Sequence, residues 1–270
     1  SRSGTSTLTR ALSILYGLSH PTDCVRSGAG HPAGIYECRD VVALNKKLMA
    51  AGGVMWTTSC FHPIKWDSVS FRSGVRDARR VLRDRFPKES GRAFVLKDPR
   101  FAWTIRVWAE AARQLGVRPV VAVSYRDVVA NIMSLEHHGR WSKRRGGALG
   151  RWMGVTTLVY NQSAQATPDR FHVNIHALTS PRTYSASVRD ISTILRDYGA
   201  CATPCLPSGV MPDLLSEANY TAPRLLAGEK LCTDQSRVCN EVFTDEALRM
   251  ADLVQQPLAL DVDFPTPFCW

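Results

Sequence analysis

Ser1-Arg2-Ser3-Gly4-Thr5-Ser6-Thr7 runs straight into Leu8, Ala11, Leu12, Leu15 and Tyr16, whose spacing predicts an amphipathic helix. A turn of small residues that opens a helix exposes backbone N–H groups at the positive end of the helix dipole, and so offers a seat to a phosphate or sulfate. Arg2 adds a full positive charge. Gly4 allows close backbone approach, and the hydroxyls of Thr5, Ser6 and Thr7 supply further donors and an N-cap. A plain Ser/Thr-capped helix would use the same residues. No Gly-Lys-Ser/Thr follows at the spacing of nucleoside-triphosphate loops.

Farther along, strand and helix patterns alternate. Ala93-Phe94-Val95-Leu96 is a short apolar run that predicts a buried parallel strand, ending at Lys97-Asp98-Pro99-Arg100. Pro99 starts a helix carrying Trp103, Ile105, Trp108 and Ala112. Pro119 to Ser124, with contiguous Val120, Val121, Ala122 and Val123, predicts a second strand, closed by Tyr125-Arg126-Asp127. A helix follows through Val128, Val129, Ile132, Met133 and Leu135, and it carries Ser134. Leu149 to Ala164 reads as a helix, Phe171 to Ile175 as a strand, and Val188 to Tyr198 as a helix stopped by Gly199. This alternation predicts an α/β fold with a central, mostly parallel sheet and helices on both faces. Ligands of such sheets lie outside the carboxyl ends of the strands, where Lys97, Asp98 and Arg126 fall.

Between the first helix and the 93–96 run, His20 to Gly34 is rich in Gly, Pro and His and reads as a loop. It leads through Ile35, Tyr36 and Glu37 into a helix marked by Val41, Leu44, Leu48 and Met49. Glu37 therefore stands at a helix entry, where a carboxylate is favoured by the dipole and could also serve as a base. Trp56, Phe61, His62, Trp66 and Phe71 follow without periodicity and read as loop anchors. Residues 74 to 86 form an amphipathic surface helix.

The Arg-Ser-Gly-Thr loop, Gly34-Ile-Tyr-Glu37, Leu96-Lys-Asp-Pro-Arg100 and the pair Arg126 and Ser134, eight residues apart, stand in one order. This order and spacing resembles the sulfotransferases that use 3′-phosphoadenosine-5′-phosphosulfate (PAPS), especially their bacterial-type, protein-tyrosine and carbohydrate branches. The resemblance implies a P-loop-like α/β domain over 1–199, with 200–270 as a loop-rich extension. It also implies a first strand ahead of the loop, so that a chain beginning at Ser1 is expected to be a fragment.

PAPS would be the sulfuryl donor, with its 5′-phosphosulfate on Arg2, Ser3, Gly4, Thr5, Ser6 and Thr7, its 3′-phosphate on Arg126 and Ser134, and no metal. Lys97 would face the sulfuryl group, Arg2 the leaving phosphate, and Glu37 would be the general base, ahead of His62 and Asp98. The chain departs from the family pattern where Val128 replaces a proline and where His176-Ala-Leu replaces Tyr-Glu-Asp-Leu. Rival readings are a nucleotide-dependent phosphotransferase and a catalytically silent glycan- or nucleotide-binding relative.

The balance of 34 basic and 24 acidic residues, net +10, favours an anionic partner. Nucleic acid is disfavoured, since no zinc-finger, RNA-recognition or basic-helix pattern is present. The acceptor is expected to be a hydroxyl-bearing glycan or small molecule. No apolar run reaches the roughly 18 residues that cross a bilayer, so a membrane would be met only through an anchor ahead of Ser1. Eight cysteines form no Cys-x-x-Cys pair, and Cys201, Cys205, Cys232 and Cys239 crowd one loop-rich segment where disulfides are useful. With Asn161-Gln-Ser and Asn219-Tyr-Thr as glycosylation patterns, these point to the Golgi or another secretory lumen. Buried free thiols in the cytoplasm are the alternative.

Overall fold

The computed structural model describes residues 4–24, 35–55, 61–86, 93–128, 131, 147–180 and 182–200. The first helix, α1, spans Thr5–Tyr16 and buries Leu8, Ala11, Leu12, Leu15 and Tyr16, the stripe its spacing predicts. Gly17, at φ 64°, ends it by donating its N–H to the Leu12 carbonyl.

Helix α2 spans Arg39–Ala51 and α3 spans Ser68–Arg85. The start of α3 lies six residues ahead of the expected position, because Asp67 caps it by accepting at 2.8 Å from the N–H groups of both Val69 and Ser70. Helix α4, Phe101–Gln114, buries Val107, Trp108 and Ala111 against α2 and α3, and Trp103 in a separate cluster with Met49, Phe61 and Leu158. Each large apolar side chain removed from water there contributes roughly 1.5–3 kcal/mol.

Strand β1, Val121–Tyr125, pairs in parallel with β2, Arg170–Asn174, in register from Val121 opposite Arg170 to Tyr125 opposite Asn174. The connection between them contains α5, Gly147–Ala166. A parallel pair needs such a crossover, and α5 supplies it. Ile175, expected as the last strand residue, instead opens the short helix α6, Ile175–Thr179. Asn174 causes the switch by accepting from the N–H groups of His176 and Ala177. Helix α7, Tyr184–Asp197, ends at Gly199, which has a φ of 71°.

The 93–96 run requires a correction. It is extended, but it makes one parallel bridge, Phe94 with Ser19, rather than a strand ladder. Ser19 donates to the Ala93 carbonyl and accepts from the Val95 N–H, both at 2.9 Å, and among the described residues no further pairing continues along that edge. Its side chains still alternate. Ala93 and Val95 pack on the core of α1, β2 and α7, while Phe94 and Leu96 pack on the core of α2, α3 and α4. The architecture is thus a helix-rich α/β arrangement around a two-stranded parallel sheet.

The helix expected through 132–135, the basic loop at 140–145, and all of 201–270 lie outside the described residues. Among those described, no helix is long and apolar enough to cross a membrane.

Candidate functional site

Three stretches far apart in sequence meet at the carbonyl of Ile35. Lys97 Nζ, at the end of the 93–96 run, donates to it at 2.9 Å, and Ser6 Oγ, in the first turn of α1, donates at 3.4 Å. The same Lys97 ammonium donates to Glu37 Oε1 at 2.6 Å. Between the two acceptors sits Tyr36 with φ 52°, a left-handed backbone that is uncommon outside glycine and that turns both neighbours towards one ammonium. An ammonium has three protons to give, so Lys97 keeps a third donor with no partner among the described residues.

Beneath this pair lies a buried scaffold. Arg100 Nη1 stands 3.6 Å from Glu37 Oε2 and donates to Asp98 Oδ1 at 2.8 Å. Asp98 also accepts from the Arg100 backbone N–H at 2.9 Å and from Asn45 Nδ2 at 3.0 Å. Asn45 is fully buried in α2, and its Oδ1 accepts from Thr104 Oγ1 and Trp108 Nε1, each at 2.7 Å. Every acceptor in this chain of contacts is met, as a buried polar group requires. Both Asp98 oxygens are occupied in holding Arg100 and Asn45, so Asp98 supports the site and is poorly placed as the base. Among the described residues the ring of His62 makes one polar contact, with the neighbouring Pro63 carbonyl at 3.3 Å, and none with Glu37 or Lys97.

The α1 entrance also differs from expectation. Its N-cap is Gly4, at φ 77°, and among the described residues no side chain caps the helix, so the hydroxyls of Thr5, Ser6 and Thr7 do not close off the first-turn N–H groups. A Cβ on Gly4 would come within 2.6 Å of Ile175, so glycine is required by contact as well as by φ. Arg126 follows β1 and lines one cleft of about 920 Å3 together with Thr5, Lys97, Asp98 and the buried Arg151. Arg2, Ser3 and Ser134 lie outside the described residues.

Around the rim, His20 packs edge-on against Tyr36 at 5.3 Å, and burial holds its imidazole below the ordinary histidine range. A disulfide joins Cys24 to Cys38, the residue after Glu37. Arg85 brackets it with ion pairs to Asp23 at 2.6 Å and Asp40 at 2.7 Å. The four cysteines of 201–239 lie outside the described residues. Asn161 sits half-buried inside α5, unlike the surface loop that a glycosylation acceptor needs.

Arg100, Asn45 and the Cys24–Cys38 pairing were not singled out from sequence. Asn45 carried one usable signal: it falls four residues after Val41 on the apolar face of α2. Among the described residues no group of three or more His, Cys, Asp or Glu is gathered as metal ligands. Comparison with family models, with curated proteins and with solved structures finds no match to this chain.

Proposed function

We propose that the protein is a PAPS-dependent sulfotransferase acting on an acceptor hydroxyl, in a P-loop-like α/β domain whose sheet includes β1 and β2. The observation that carries this reading is the junction at Ile35, where the first turn of α1, Lys97 and Glu37 come together. Transfer to a hydroxyl needs a base for its proton, positive charge for the sulfuryl oxygens and leaving phosphate, and fixed orientation.

PAPS supplies the activated sulfuryl group. Glu37 takes the proton of the acceptor hydroxyl, and the third N–H of Lys97 is available to the sulfuryl oxygens. The first-turn N–H groups behind Gly4 suit the 5′-phosphate, and Arg126, at the carboxyl end of β1, suits the 3′-phosphate. With the sulfuryl group moved to the acceptor oxygen, adenosine 3′,5′-bisphosphate leaves and Glu37 gives its proton to water. The acceptor is a glycan or a small hydroxyl compound, and the Cys24–Cys38 disulfide favours a secretory lumen as the compartment.

The test is calorimetric titration with adenosine 3′,5′-bisphosphate and with adenosine 5′-monophosphate. The bisphosphate should bind at least about 30-fold tighter, the equivalent of a charge-assisted contact of about 2 kcal/mol. Arg126→Ala should remove most of that difference. Equal affinity of the unaltered protein for the two nucleotides would overturn the assignment.

A further inference from the structure

Helix α3 carries six arginines and two aspartates, and it sorts them by side. At about 100° per residue, Arg72, Arg76, Arg80 and Arg83 fall within about 80° of one another and span about 17 Å along the axis. All four are exposed, while Gly74, Val75, Ala78 and Leu82 on the other side are buried. The two aspartates lie beyond the edge of this row. Asp77 turns to Lys47 of α2 at 2.8 Å, and among the described residues no carboxylate pairs with any of the four arginines. On the flank towards α4, Glu110 is taken by Arg113 at 3.1 Å and by Gln114 at 2.9 Å.

Like charges four residues apart oppose a helix, and two such pairs, Arg72 with Arg76 and Arg76 with Arg80, stand here in line. For the helix alone, a glutamate in the row would serve better. A row of cations about 6 Å apart instead suits a polymer that repeats its anions. The planar fork of arginine can meet two oxygens of a carboxylate, sulfate or phosphate at once, which the ammonium of lysine cannot. The row also points somewhere. Arg85, at the end of the same helix, pairs with Asp40, three residues past Glu37, so a polymer lying along α3 would run towards the rim of the candidate site.

We infer that the exposed arginine face of α3 docks a linear anionic polysaccharide, one carrying sulfate or uronate groups at regular intervals. The Cys24–Cys38 disulfide decides between polyanions: it favours an oxidising compartment, where such glycans are abundant and nucleic acid is not. The inference concerns binding and stands whether or not the protein transfers sulfuryl groups.

Fluorescence anisotropy with a labelled heparin octasaccharide tests it, beside a neutral dextran octasaccharide and an oligodeoxythymidylate of equal charge. The heparin fragment should bind with a slope of log Kd against log salt of about 3, the counterion release expected of four contacts to a flexible polyanion. Replacing Arg72, Arg76 and Arg80 together by glutamine should weaken binding at least about 10-fold and lower that slope by about 2. The same exchange at Arg182, Arg189 and Arg196, exposed on or beside α7, removes equal charge and should stay within about twofold. Both triple variants should melt within about 3 °C of the parent, since exposed side chains are exchanged. Arg76→Gln alone should weaken binding by about threefold, which reads the same face should the triple variant be less stable. Equal weakening by the two triple variants overturns the inference, because overall charge would then suffice. Absence of binding, equal binding of the neutral dextran fragment, or tighter binding of the oligodeoxythymidylate overturns it as well.

Discussion

Asn45 and Asp98 share one buried hydrogen bond of 3.0 Å, and through it α2 is tied to the residue on which Arg100 rests. Asp98 has no exposed side-chain surface. Removing its charge takes the nearer carboxylate from the guanidinium of Arg100, itself only 13% exposed, and leaves it the longer contact of 3.6 Å with Glu37. Asp98→Asn should lower stability by about 3 kcal/mol, read as a lower urea midpoint at unchanged slope. A midpoint equal to that of the parent would show that the pair is replaceable.

Glu37→Gln keeps the size and hydrogen bonding of the side chain and loses the ability to take a proton. Turnover should fall by about two to four orders of magnitude, while adenosine 3′,5′-bisphosphate binds within about threefold of the parent. His62→Ala, removing a ring whose polar contact among the described residues is with Pro63, should turn over within about twofold. The reverse ranking of the two variants would move the base away from Glu37.

Cys24 and Cys38 are 14 residues apart, and their cross-link removes chain freedom from the unfolded state. For a loop of this size the stabilisation is about 3 kcal/mol. Replacing both with serine, or melting in excess dithiothreitol, should lower Tm by several degrees. Because Cys38 adjoins Glu37, turnover should fall further than the folded fraction does. Coincident melts with and without dithiothreitol would argue that the bond carries no stability.

His172 on β2 lies behind Tyr160, whose hydroxyl is 3.0 Å from its Nδ1. Burial, with the Arg170 charge adding to it, lowers this histidine to about 4. The unfolded chain therefore takes up a proton below about pH 6.5 that the folded chain refuses until about pH 4. The stability from this group is complete above pH 6.5 and declines as pH falls from 6.5 to 4, by up to ~3 kcal/mol. Urea midpoints of the parent should drop across that window, and those of His172→Phe should drop less. Parallel pH curves for the two proteins would contradict the assignment.

The sequence revealed most where one period dominated. The contiguous β-branched residues of 120–123 located β1, and the stripe from Leu8 to Tyr16 located α1 with its end at Gly17. The 93–96 run was legible as extended, but it is half-buried rather than buried, and pairing depends on what lies beside a segment, which residue types within the run do not report. The start of α3 was missed because Trp66 and Phe71 drew the reading towards a loop, although Asp67 ahead of Ser68 and Val69 is a capping signal. Glu37 and Lys97 could be picked separately from their motifs. Their 2.6 Å contact spans 60 residues and depends on the left-handed Tyr36, which its side chain does not announce. Asn45 was passed over because a helical asparagine looks the same in sequence whether it meets water or Trp108.

The Cys24–Cys38 bond makes a covalent ring of the residues it spans, and Arg85 grips the two feet of that ring through Asp23 and Asp40. A ring survives a single cut. A protease that severs one peptide bond between Cys24 and Cys38 would leave two pieces that migrate together until a reductant is added, and Glu37 would remain attached beside Lys97. Nicked and intact protein would be indistinguishable by mass on a non-reducing gel, and only the reduced sample would separate the piece carrying α1 from the remainder.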